Sequence, residues 1–217
     1  MLFKESSSYV ADLTEALQLL DLEAVDRLAR AIHVAYLRNR TVFFLGNGGS
    51  ASTASHLAAD FSKLTTRTGQ ARLRCLALVD SVAALTAAGN DFAYEDVFVE
   101  QLRTFLEPGD VVVGISTSGR SKNVLKAVEY ANACNAFTFG ITGADGSALR
   151  NMTSDSLTVA SLSVQQIEDV SMVACHIACL AVRDLCMAHG RSVEMDYDVR
   201  QAATGRPPAV ANVNPAA

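Results

Sequence analysis

His56 and Asp60 stand four residues apart in the stretch FFLGNGGSASTASHLAAD, residues 43 to 60. On a helix that spacing puts both on one face. There an imidazole and a carboxylate can share a metal ion or divide a proton transfer. An HxxxD pair also arises by chance, so the pair alone assigns nothing. Glu168 and His176 form a second pair, eight residues apart, in QQIEDVSMVACHIA. Eight residues of straight helix rise about 12 Å. These two serve one ion only by reaching toward each other; otherwise they serve sites shared between subunits. Set among Val173, Ala174, Cys175 and Ile177, His176 also fits a satisfied core histidine.

Two loops carry a different chemistry. The first is Gly46-Asn47-Gly48-Gly49-Ser50, and the second lies in GISTSGRSKNVLKA, residues 114 to 127. Glycine lets backbone approach an anion and take positive φ. Ser116, Thr117, Ser118 and Ser121 offer hydroxyl donors, and a helix beginning near Ser121 points free N–H groups and its dipole at a phosphate. Neither loop is a Walker A or GxGxxG motif. Serine and glycine also make ordinary turns and caps, but two such loops after two strands favour the anion. Asn90 and Asp91 read either as site residues or as a cap for a helix starting near Phe92.

These groups need elements to hold them. Residues 6–39 read as helical, from Leu13, Leu17, Leu20, Val25, Leu28 and Ile32 at helical spacing, with Asp21 as a cap between two helices. Apolar runs at 41–45, 73–78, 110–115, 136–141 and 156–160 alternate with helical patterns at 50–64, 81–88, 92–105 and 121–134. A last helix covers 164–189. Continuous apolar strands between helices imply a parallel sheet covered on both faces, and ligands then sit beyond the carboxyl ends of the strands. Both loops fall there. The expectation is one α/β domain over residues 1–190, followed by a disordered tail, 191–217, that holds three of the four prolines.

The 217 residues suffice for such a domain, and a net charge of −5 argues against broad nucleic-acid binding. The five cysteines form no CxxC pair and read as buried, reduced thiols of a cytosolic protein. No signal peptide is expected at the N-terminus, and no apolar run is expected to reach membrane-spanning length.

GNGGSASTASH and GISTSGRSKNVLKAV together resemble the sugar isomerase (SIS) fold, specifically its phosphoheptose isomerase group. TAAGNDFAYEDVFVEQL (86–102), ITGADGSAL (141–149) and QQIEDVSMVACHIA (165–178) are similar to further segments of that group. The resemblance runs over about residues 5–188. It implies a three-layer α/β/α sandwich with a five-stranded parallel sheet, N-terminal helices that oligomerise, and a homotetramer with active sites at subunit interfaces. It implies an isomerase converting sedoheptulose 7-phosphate to D-glycero-D-manno-heptose 7-phosphate. The phosphorylated sugar would be held by Asn47, Gly48, Gly49, Ser50, Asp91, Ser116, Thr117, Ser118, Ser121 and Glu168. Zinc or a similar divalent cation would be held by His56, Asp60, Glu168 and His176.

Two of those four positions depart from the group's pattern of His, Glu, Gln and His. Asp60 is one methylene shorter than Glu, and Glu168 replaces a neutral amide with a carboxylate. Ser171 stands where many members have a further histidine, and Gln165 where an acid is often found. The plausible acid–base pair among the motif residues is Asp60 and His176, with Asp60 assigned the carbon proton and His176 the oxygens, and the reversed roles left open. The same fold also carries non-catalytic regulators, among them partners of the replication initiator, and isomerases of other sugar phosphates. Retention of His56, an acid at 60 and His176 favours the enzyme.

Overall fold

The computed structural model describes residues 2–67 and 69–191, with side chains from residue 6 onward. Apart from Arg191, the tail expected to be disordered lies outside the described residues.

The first helices are α1 (Leu2–Gln18) and α2 (Leu22–Leu37). Asp21 separates them as expected: its carboxylate accepts from the Ala24 N–H at 2.9 Å, closing the first turn of α2. Five strands follow: β1 (Thr41–Gly46), β2 (Arg74–Ala77), β3 (Val111–Ile115), β4 (Phe137–Gly143) and β5 (Asp155–Val159). All neighbours pair parallel, in the order β2-β1-β3-β4-β5. β1 and β3 are buried along their whole length, which is why they read as unbroken apolar runs.

The connecting helices are α3 (Gly49–Leu64), α4 (Val82–Asp91), α5 (Val99–Phe105), α6 (Lys122–Ala133) and α7 (Ser147–Met152). Two details differ from expectation. The pattern at 92–105 divides into a 3-10 turn, Tyr94–Asp96, and α5, because Val97 and Phe98 turn into the core between them. The stretch after β4, where no helical pattern stands out, closes into the short α7.

The last helix, α8 (Val164–Ala188), packs with α2 and α3 over one face of the sheet. By length and composition it is apolar enough to cross a membrane, against the expectation that no stretch would be. The reason is that it carries two apolar faces. Cys175, Ala178, Cys179 and Val182 line the core, while Val173, Ile177, Leu180 and Met187 face outward. On the other face of the sheet, α4, α5, α6 and α7 cover Phe43, Leu45 and Val112, completing three layers. Arg27 of α2 pins the β5 edge through Asp155, with Nε–Oδ2 at 2.7 Å and Nη2–Oδ1 at 3.2 Å.

Candidate active site

β1 and β3 are adjacent in the sheet, so the loops leaving their carboxyl ends are neighbours. Gly46 ends β1 in a tight spot: a methyl there would meet Ser50 and the Ile115 carbonyl. Gly48 takes φ +57 and stands just before α3, as its N-cap. Its carbonyl accepts from Ala51 N at 3.0 Å and Ser52 N at 3.2 Å, while among the described residues the first-turn N–H groups of Gly49 and Ser50 stay unspent.

The serine loop is held by its backbone and keeps its hydroxyl donors. Ser116 is buried and gives its proton to Ser121 Oγ at 3.0 Å. Ser118 Oγ accepts from Arg120 N at 3.3 Å. Among the described residues, the hydroxyl protons of Ser50, Thr117, Ser118 and Ser121 have no protein acceptor, so four O–H donors remain for a ligand. Gly119, at φ +61, lets the loop lie directly on the backbone of Gly146. A cavity of about 220 Å³ opens beside the loop, lined in part by Thr117, Ser118, Arg120, Asp145 and Leu162.

α3 and α8 bring the acid–base residues together. His56 and Asp60 share a face of α3, with Nε2–Oδ2 at 3.2 Å. His176 of α8 reaches the same carboxylate oxygen at 3.7 Å. The two histidine Nε2 atoms lie 3.0 Å apart. Two nitrogens and one oxygen thus form a triangle that could hold a metal ion. Its edges bracket the ~3.3 Å ligand–ligand distance of a tetrahedral zinc site with ~2.0–2.1 Å bonds. The side chains of both histidines are nearly half exposed, so one side of the triangle is open to a substrate. Cys175 and Cys179, on either side of His176, are pushed up to about 12, first by burial. Both are buried in the core, which leaves imidazole and carboxylate as the donors of the triangle.

Glu168 does not join this group. Its carboxyl group lies against the Cα of Gly49, where a methyl would collide with it. That is the N-terminus of α3, whose dipole and free N–H groups favour an anion. Asp91 is the last residue of α4 and accepts from Asn90 Nδ2 at 2.8 Å, so neither residue caps the next helix.

Tyr94 and Asn123 gain importance that sequence reasoning did not attach to them. Both bond the side chain of Asn47. They lie inside quoted motifs, but nothing in their spacing signals that they meet the glycine turn. Arg120, the guanidinium beside the cavity, was likewise passed over.

The SIS domain profile matches residues 7–143. The phosphoheptose isomerase of Solidesulfovibrio magneticus is 41% identical over 160 residues, 74% of this chain and 78% of that protein. The phosphoheptose isomerase of Helicobacter hepaticus is 35% identical and spans 86% of this chain and 95% of its own length. The solved structure of phosphoheptose isomerase GmhA from Neisseria gonorrhoeae superposes with a TM-score of 0.79 at 29% identity, covering 85% of this chain and all of that one. With its parallel sheet, paired anion loops and His-Asp-His triangle, the chain belongs to the SIS domain family, among the phosphoheptose isomerases.

Proposed function

We propose that the protein is an aldose–ketose isomerase converting sedoheptulose 7-phosphate to D-glycero-D-manno-heptose 7-phosphate. The observation that carries this reading is the Asp60–His56–His176 triangle between α3 and α8, α3 being also the helix whose first turn, together with the serine loop, offers unspent N–H and O–H donors for a phosphate among the described residues. The relatives named phosphoheptose isomerase agree with it.

Isomerisation moves a proton between C1 and C2 and rebalances protons on O1 and O2. Asp60 takes the carbon proton. Its Oδ2 faces the two imidazoles, which leaves Oδ1 as the acceptor. His176 serves the two oxygens. Ser50, Thr117, Ser118 and Ser121 hold the far phosphate, and this remote binding fixes the reacting carbons against Asp60. Asn47 and Asp91 lie beside the sugar. Glu168 faces the substrate from the α3 N-terminus rather than ligating an ion. Ser118→Ala then raises KM, with a kcat loss smaller than that of Asp60→Asn.

The cofactor in this reading is one zinc ion per site. Imidazole nitrogens and a carboxylate oxygen are donors that suit it. His56, Asp60 and His176 would hold it, and it would supply positive charge for the oxygens of the reacting carbons.

The active form is a homotetramer with its sites at subunit interfaces. Exposed Val10 on α1, Leu19 in the turn after it, Leu22, Val34 and Leu37 on α2, and the outer face of α8 supply apolar surface for contacts between copies. A monomer in sedimentation at micromolar concentration contradicts this. The reading also includes a cytoplasmic location, in keeping with five cysteines present as free thiols.

The test of the substrate is a panel of five-, six- and seven-carbon ketose phosphates. The highest kcat/KM is expected for the seven-carbon one. A clear preference for a shorter sugar replaces this substrate, and no turnover of any of them contradicts the enzyme reading.

A further inference from the structure

Asn123 is buried in the first turn of α6, two residues past Ser121. Its side-chain orientation follows from one contact. The Val124 backbone N–H can only donate, so the atom it meets at 2.9 Å is the Asn123 carbonyl oxygen. That oxygen also accepts from Asn47 Nδ2 at 2.8 Å, and Asn123 Nδ2 donates back to Asn47 Oδ1 at 2.8 Å. Tyr94 donates its hydroxyl proton to the same Asn47 Oδ1 at 2.9 Å. Both acceptor positions of Oδ1 are then taken, and the second N–H of the amide is what Asn47 has left to offer. Tyr94 is itself held. The 3-10 turn it begins is tied to α6 by Lys122–Glu95 at 2.8 Å and by Lys126–Asp96.

We infer that Asn123 is a positioning residue: with Tyr94 it fixes the Asn47 amide so that an N–H donor, and not the carbonyl oxygen, meets an oxygen of the sugar phosphate. The inference rests on the reading above that Asn47 lies beside the substrate. It also explains why a fully buried amide sits directly after the serine loop. The pair joins the glycine turn to α6 and sets the separation of the two anion loops.

The experiment is steady-state kinetics on sedoheptulose 7-phosphate for Asn47→Ala, Asn123→Ala, Tyr94→Phe and the doubles of the last two with Asn47→Ala. Losing one oriented hydrogen bond is worth about 2- to 10-fold. Asn123→Ala is expected to raise KM by about that factor, with kcat changed less, and Tyr94→Phe by the lower end of it. In the Asn47→Ala background both effects vanish, because they act through that amide. A merely structural Asn123 would raise KM by the same factor with or without Asn47, and that result overturns the inference. Should Asn123→Ala fail to fold, Asn123→Asp keeps the Val124 contact while opposing Asn47 Oδ1 with an oxygen. Exposed Tyr94 gives an independent arm. If Asn47→Ala raises KM and the Asn123 and Tyr94 variants do not, the inference alone falls. If Asn47→Ala leaves KM unchanged, the placement of Asn47 beside the sugar fails and takes the inference with it.

Discussion

His56 Nε2 and His176 Nε2 lie 3.0 Å apart although 120 residues separate them in the chain. Two neutral imidazoles meet this way only when one nitrogen is protonated and the other is not. A divalent cation would be held by both imidazoles and the Asp60 carboxylate. The expected outcome is close to one equivalent of zinc or a similar ion per chain in undialysed, active protein, read by elemental analysis. His56→Ala and His176→Ala should each weaken the ion by at least the roughly 10–100-fold that losing a ligand's hydrogen-bond support costs. Active protein without metal contradicts the assignment.

Asp60→Asn keeps the shape of the side chain and removes the base. A kcat loss of about 10²–10⁴ is expected, the span for a general acid–base group. Since Oδ2 also belongs to the triangle, the assay is repeated with excess divalent ion. Full recovery there would make Asp60 a ligand and not the base.

Gly119→Ala tests the serine loop. The residue sits at φ +61, and a methyl would run into the Gly146 backbone. The left-handed conformation alone costs about 1–2 kcal/mol with a side chain. Urea unfolding should show at least that loss, with KM raised as the loop shifts. An unchanged midpoint would mean that the loop does not need this conformation.

His33 predicts an acid-sensitive corner. Burial pushes its pKa down, against a hydrogen bond to the His189 backbone that raises it. The ring stacks beside Tyr36 and meets the His189 ring edge-on, and its Nε2 is buried without a partner among the described residues. The unfolded histidine titrates near 6.5, so over the window just below that pH the unfolded chain binds more protons. The His33 contribution is therefore fully present above about pH 6.5 and declines as pH falls toward the folded pKa. Urea midpoints between pH 7.5 and 5 should fall less in His33→Leu than in the unaltered protein. Equal slopes would acquit His33.

The strands were legible because parallel strands buried on both faces leave continuous apolar runs; Val42 to Leu45 and Val111 to Val113 are nearly fully buried. The pairing of His56 with Asp60 was legible too, as it needs only one helix. The meeting of His56 with His176 depends on how α3 packs against α8, which no local pattern states. Glu168 shows the limit of carrying a ligand position over: its carboxylate finds the positive end of α3 instead of the triangle. The amide pair of Asn47 and Asn123 joins residues 76 apart and leaves no periodic trace. α7 is only six residues long, too short for a helical repeat to stand out.

The most direct test is turnover of sedoheptulose 7-phosphate in deuterated water, followed by NMR, for the unaltered protein and for Asp60→Asn and His176→Asn. The account predicts an aldose heptose 7-phosphate carrying deuterium at C2 from the unaltered protein, and turnover and exchange that both collapse in each variant. Turnover and exchange left unchanged by both substitutions would contradict it and place the chemistry at other residues.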